Sequence, residues 1–165
     1  MPDCLILAAM LGAATGIRSI AGLATLAVGH KYPGSPGRGM RSGLVRRALE
    51  VAFLTEVVAD KLVPLPSRTD AAPLAGRALL GATAAAAASR RIGGSRFSAA
   101  VVGSTMAVGT AWIATAGRMA ARARGIVDVL PALAEDATVI ALGAATRRRL
   151  SRRMARAHDG AGSRP

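Results

Sequence analysis

Residues 97–117 contain no charged side chain, and this uncharged stretch constrains the fold more than any other feature of the sequence. An α-helix rises about 1.5 Å per residue, so about 20 residues cross the ~30 Å apolar core of a bilayer. An uncharged segment of that length is typical of a membrane-spanning helix. The alternative is a buried helical bundle in water, because alanine, with 38 residues here, is only weakly lipophilic.

Four more apolar segments alternate with short polar ones, at 5–29, 44–63, 71–89 and 126–146. The first contains one charge, Arg18, and the third contains Arg77. We therefore predict an all-α polytopic transmembrane helical bundle of about five spans. Four spans is the alternative, because the third segment is short and rich in alanine. Residues 1–150 form one transmembrane helical domain in this interpretation, and residues 151–165 form a basic, disordered tail.

The basic residues are distributed unevenly over the predicted loops. The formal net charge is +13, from 22 basic and 9 acidic residues. With five spans, fifteen basic residues fall on the side of 30–47, 90–96 and the tail, and five fall on the other side. The positive-inside rule then predicts an outside N-terminus and a cytoplasmic tail in the cell membrane. The lipid bilayer is the expected partner, with anionic headgroups at the basic tail.

Nucleic acid is not an expected partner, because aromatic side chains for stacking on bases make up only 2% of the chain. Cys4 is the one cysteine of the sequence, which excludes an internal disulfide. No phosphate-binding loop, zinc motif, or set of nucleophile, base and orienting residue is present in the sequence. We expect neither an enzyme nor a cofactor.

Several local signals predict how the helices begin and pack. Asp70 is a candidate N-cap for the third span. Pro131 either starts the fifth span or breaks a longer helix there. Small residues recur at helix-packing spacing, which allows close backbone approach in lipid and leaves a homo-oligomer open. These small residues are Gly12 and Gly16 in the first span, and Gly103, Ala107 and Ala111 in the fourth.

Charges in or beside the spans form a candidate polar cluster. Glu56 and Asp60 are four residues apart and share a helix face. A charge at bilayer depth costs ~2.5–3.5 kcal/mol, so it must pair, face a water-filled cavity or lie near the interface. We expect Arg18 to pair with a carboxylate of the second span. The cluster comprises Arg18, Glu50, Glu56, Asp60, Lys61, Arg68, Arg77, Glu135 and Asp136.

Acidic residues on both sides of the third span suggest a weak inverted repeat, in which the first two spans match the last two. A divalent ion bound by carboxylates is a further alternative to pairing with arginine. Its ligands would be Glu56, Asp60, Glu135 and Asp136.

The run E-V-V-A-D-K-L-V-P-L-P-S-R-T at 56–69 resembles a signature of domain-of-unknown-function family 4126, a group of small bacterial membrane proteins. Gly16-Ile17-Arg18-Ser19 is similar to an early element of that family, and Gly76-Arg77 and Glu135-Asp136 add to the likeness. The spacing between Lys61 and the following prolines departs from the pattern. The resemblance implies a multi-pass helical protein of the bacterial inner membrane and brings no activity with it.

Two functions are compatible with the polar cluster. In the first, the charges pair within the bundle and the protein has a structural or accessory role. In the second, some of the charges face a shared aqueous cavity, and the protein is a small transporter or channel for an ion or a polar solute. The packed geometry of these residues discriminates between the two.

Overall fold

The computed structural model describes residues 2–28, 47, 51, 54 and 69–162, and side chains as far as residue 155. Over these residues the chain is all-helical, as predicted. The helices are α1 (Pro2–Ile17), α2 (Ala21–Val28), α3 (Ala71–Arg91), α4 (Arg96–Ala123) and α5 (Val129–Gly162). Most of the predicted second span, 44–63, lies outside the described residues, and its three described positions are helical and exposed.

Three of the described helices, α3, α4 and α5, are long and apolar enough to cross a membrane. Their bounds agree with the predicted third, fourth and fifth spans within a few residues, except that α4 continues six residues beyond 117 and α5 is much longer. It continues to Gly162, through most of the segment predicted to be a disordered tail. Alanine, arginine and methionine, which dominate 152–157, are all strong helix formers.

The ends of α3 and α4 have simple local causes. Gly93 (φ 68°) and Gly125 (φ 72°) follow the two C-termini in the left-handed conformation, which a residue without a Cβ adopts at little cost. Asp70 occupies the N-cap of α3, as predicted, although its side chain makes no capping hydrogen bond. Pro131 lies in the first turn of α5, which confirms that it starts the helix rather than breaking it.

The predicted first span is not one crossing helix. The helix α1 ends at Ile17, and α2 runs back along it, so that Gly22 lies against Thr15 and Leu26 packs with Leu7 and Leu11. We call α1 and α2 together the re-entrant hairpin. About 21 Å of helix separates Cys4 from Arg18, so the tip of the hairpin reaches inside the bundle without crossing it.

Both ends of the hairpin therefore lie at one end of the bundle. Cys4 donates a hydrogen bond to Ser89 at the end of α3, 3.1 Å from Sγ to Oγ. Asp3 forms an ion pair with Arg153 near the end of α5. The N-terminus and the basic end of α5 are thus on the same side, and the prediction of opposite sides is wrong because α2 folds back. We call this the basic end of the bundle.

The small-residue stripes form the centre of the bundle, which confirms their predicted role. A Cβ on Gly12 would overlap the carbonyl oxygen of Gly103, and a Cβ on Gly16 would overlap that of Ala107. Gly81 of α3 approaches Gly103 from the other side. Three backbones therefore meet with almost no side chain between them, and dispersion contacts at this distance hold helices together in lipid.

The inverted repeat is not seen where the structure describes both of its halves. The first predicted span is a hairpin of two helices, whereas its counterpart, α4, is one helix of 28 residues. The other pair of spans cannot be compared, because the predicted second span is largely outside the described residues.

Candidate functional site

The candidate site is built around Arg18 at the tip of the re-entrant hairpin. The Arg18 amide donates to the carbonyl of Ala14 at 2.9 Å, and its own carbonyl accepts from the Ala21 amide at 3.0 Å. One residue therefore closes α1 and opens the turn to α2. Arg18 is fully buried, and it is the largest of the fully buried residues that the structure describes. A buried guanidinium needs a counter-charge and hydrogen-bond acceptors.

Asp136 of α5 supplies that counter-charge. Its Oδ1 accepts from Nε of Arg18 at 2.9 Å and from Nη2 at 2.7 Å. The distances are those of charge-assisted hydrogen bonds. Glu50 and Glu56, the partners predicted from the second span, lie outside the described residues. A carboxylate that the structure does place on Arg18 belongs to the fifth span, 118 residues further along the chain.

The neighbouring carboxylate, Glu135, takes part in a second pair. Arg118 of α4 binds it as a fork, with Nε to Oε1 and Nη2 to Oε2 both at 2.8 Å. Both side chains are largely buried. Sequence reasoning missed Arg118, which it assigned to a loop. The sequence feature that could have identified it is its position directly after the uncharged stretch 97–117. In the structure the helix continues for about one more turn beyond Arg118, to Ala123.

Arg77 is the other buried arginine of the candidate cluster that the structure describes, and it lies on α3 with 7% exposure. It comes one turn before Gly81, which packs against Ala107, the same residue that Gly16 contacts. α3 runs antiparallel to α4, and α1 runs parallel to α4. Arg77 and Arg18 therefore lie at a similar depth in the bundle. Glu50, Glu56, Asp60, Lys61 and Arg68 lie outside the described residues.

Beyond the cluster, the turn from α4 to α5 contains an exposed pair. Arg122 Nε and Nη2 donate to the two carboxylate oxygens of Asp128 at 2.7 and 2.8 Å. More than half of each side chain is exposed. The hydrogen bonds from Arg122, together with its positive charge, lower the pKa of the Asp128 carboxyl below its ordinary value. A pair in such surroundings contributes little to stability, because water screens it.

The basic end contains a further set of charges that sequence reasoning did not single out. Asp3 lies beside Arg153 and 4.0 Å from an Nη of Arg149. Two cavities open here, and neither of them is lined by Arg18, Asp136, Arg118 or Glu135.

A metal site is not evident in the described part of the chain, where no group of three histidine, cysteine or acidic side chains lies close enough to bind an ion. Two of the four predicted ligands, Glu135 and Asp136, are described. Each of them binds an arginine. The arrangement at the tip is therefore one of guanidinium–carboxylate pairs, which orient helices relative to one another.

No family model, curated protein or solved structure matches this chain.

Proposed function

We propose that this chain is an integral protein of the cell membrane with a structural or accessory role, in which intramembrane charges fix the re-entrant hairpin in the bundle. The observation that supports this role is the burial of Arg18, whose guanidinium is held by Asp136. Apolar length and composition of α3, α4 and α5 support the membrane location. The family 4126 resemblance of 56–69 agrees with it, and we propose membership of that family on the same residues.

The orientation that we propose has the basic end in the cytoplasm. Within α3, α4, α5 and the turns that join them, nine arginines lie toward that end and three lie toward the other. The nine are Arg90, Arg91, Arg96, Arg147, Arg148, Arg149, Arg152, Arg153 and Arg156, and the three are Arg118, Arg122 and Arg124. The positive-inside rule favours a cytoplasmic location for the larger group. The folded-back α2 brings the N-terminus to the cytoplasm as well.

A transporter is the second candidate, and one observation favours it. The re-entrant hairpin ends inside the bundle, beside two ion pairs, and interrupted helices at membrane depth are a device that transporters use for binding sites. Against this candidate, the described carboxylates beside the tip, Asp136 and Glu135, each bind an arginine.

The substitution Asp136→Asn separates the two roles. In a structural role, it lowers the thermal stability of the purified protein and its level in the membrane together. In a transport role, the variant stays stable but loses flux. Proteoliposomes containing the full chain, loaded with a pH-sensitive dye and polarised with valinomycin, measure proton flux directly. Flux that depends on the parent protein and is absent from a stable Asp136→Asn variant would overturn the structural role.

A further inference from the structure

We propose that the basic end of the bundle contains a defined binding site for the phosphate headgroup of an anionic phospholipid. The inference deepens the proposed function and rests on its membrane location. Three elements build the site: the first turn of α1, the turn between α3 and α4, and the arginine-rich part of α5.

Two adjoining cavities form the site. One has a volume of about 240 Å³ and is lined by Asp3, Cys4, Leu5, the turn 92–95, Ser98 and Arg153. The other, of about 270 Å³, is lined by Asp3, Leu7, Arg149, Arg152 and Arg153. Asp3 and Arg153 line both cavities, so the two spaces meet at this pair. Together they have room for a phosphodiester and part of its alcohol.

The charge of the lining favours an anion. Three guanidinium groups face one carboxylate, so the site has an excess of positive charge. Asp3 contacts Arg153 and Arg149 and restrains their side chains, while each guanidinium has five N–H donors and keeps others for a ligand. The planar fork of arginine matches two phosphate oxygens, which a diffuse basic surface does not achieve.

The opposite wall adds neutral donors. Ser95 caps α4 by accepting from the Ser98 amide at 3.3 Å, and the two hydroxyl groups lie 3.2 Å apart. Gly93, with its positive φ, turns the chain so that the N-terminus of α4 faces the cavity. The first N–H groups of a helix have no acceptor within the helix and favour an anion.

Exposed apolar side chains beside the cavities favour a lipid over free phosphate. Phe97 follows the N-cap of α4 and is 80% exposed, and Val101 lies one turn further along the same helix. Leu5 and Ile6 are exposed on α1 next to the cavity. A headgroup bound between the arginines and the α4 N-terminus would place its acyl chains against these residues. A soluble phosphate would use only the polar half of this surface.

The test measures lipid binding to the purified full chain by native mass spectrometry, with phosphatidylglycerol compared with phosphatidylcholine. The site variant is Arg149→Gln/Arg152→Gln/Arg153→Gln. Its matched control, Arg90→Gln/Arg96→Gln/Arg148→Gln, removes the same charge from exposed positions at the same end that line neither cavity. We expect the site variant to lose phosphatidylglycerol binding by about tenfold or more and the control by no more than about twofold.

A second variant, Ser98→Leu, fills the first cavity without changing any charge. It keeps the helix cap, because the capping donor is the backbone amide of residue 98. We expect Ser98→Leu to weaken phosphatidylglycerol binding while circular dichroism stays that of the parent. Retention of parental binding in this variant would overturn the proposed cavity.

Two other outcomes would also overturn the proposal. Equal loss in the site variant and its control would mean diffuse attraction to the whole basic end. Displacement of the lipid by millimolar inorganic phosphate would mean a site for the free ion. Failure of the proposed membrane location would give a different result from either of these outcomes, because alkaline carbonate would then extract the parent chain from membranes.

Discussion

The tip of the re-entrant hairpin and the turn between α4 and α5 contain the same chemical pair, an arginine and an aspartate at hydrogen-bond distance. Arg18 and Asp136 are 2.7 Å apart, and so are Arg122 and Asp128. Their surroundings differ: the Arg18 side chain is 1% exposed, and the Arg122 side chain is 62% exposed. Distance alone therefore does not rank the two pairs.

The two pairs differ in what surrounds one charge when its partner is removed. At the turn, water solvates either partner when the other is removed. At the tip, the Arg18 side chain is 1% exposed and that of Asp136 is 16% exposed, so water replaces a removed partner much less well and breaking the pair costs more. The buried pair thus constrains where the hairpin turns. The exposed pair lies at a turn whose backbone conformation is already set by Gly125.

The largest effect is expected from Arg18→Leu. The substitution deprives Asp136 of the guanidinium that it binds and should lower the free energy of unfolding by ~3–5 kcal/mol. Thermal unfolding in detergent, followed by circular dichroism, measures the loss. The double variant Arg18→Leu/Asp136→Leu should be less destabilised than Arg18→Leu, since it removes both members of the pair and not only one. An Arg18→Leu protein with the parental Tm would show that the buried pair contributes no more to stability than the exposed pair.

Stability should be nearly as sensitive to changes in the close packing of α1 against α4. Gly12→Val places a side chain where the carbonyl of Gly103 lies, and backbone cannot move aside, so we expect a loss of about 3 kcal/mol. The control is Gly109→Val on α4, because a Cβ at Gly109 meets nothing within 4 Å. Equal Tm values for these two variants would contradict the close contact of α1 with α4.

Arg118→Met tests a pair of intermediate exposure. The substitution keeps an apolar stem of similar length but removes both hydrogen bonds to Glu135, and we expect a loss of about 2 kcal/mol. Measured in the same way, its Tm should fall between those of the Arg18→Leu protein and the parent. A loss as large as that of Arg18→Leu would mean that the contribution of an ion pair to stability does not increase with its burial.

The smallest effect is expected from Asp128→Asn at the exposed turn, with a Tm close to that of the parent. Because the folded state lowers the pKa of Asp128, any contribution of the carboxylate is present above its unfolded pKa, ~3.9, and is lost as the pH falls through the folded value. Unfolding curves at neutral and acidic pH should therefore differ between parent and variant only at neutral pH. A difference that grows on acidification would contradict this assignment.

Hydropathy and helix signals predicted the long helices well. The uncharged stretch 97–117 lies inside α4, Pro131 starts α5, and the stripe of Gly103, Ala107 and Ala111 is buried where α1 meets α4. Each of these features depends on residues close in sequence, such as a run without charge, a residue lacking an amide hydrogen, or small side chains one turn apart.

The candidate site was predicted less completely. Arg18 needed a carboxylate by the cost of burying its charge, and the structure gives it one. The identity of that partner, Asp136, and the fork between Arg118 and Glu135 depend on which helices lie side by side. Spacing within one segment contains no information about that arrangement.

By itself, the sequence determined the all-helical fold, the existence of α3 and α4, the small-residue seam and the need for counter-charges, because all of these follow from short-range chemistry and the cost of placing charge in lipid. Only the tertiary structure decided that the first apolar segment turns back at Arg18. Ile17, Ser19 and Ile20 include neither proline nor glycine, and a hydropathy plot is the same for a crossing helix and for a hairpin. The turn is set by contacts from far along the chain, with Asp136 holding Arg18 and Gly103 receiving Gly12, and these contacts also place the N-terminus beside the basic end of α5.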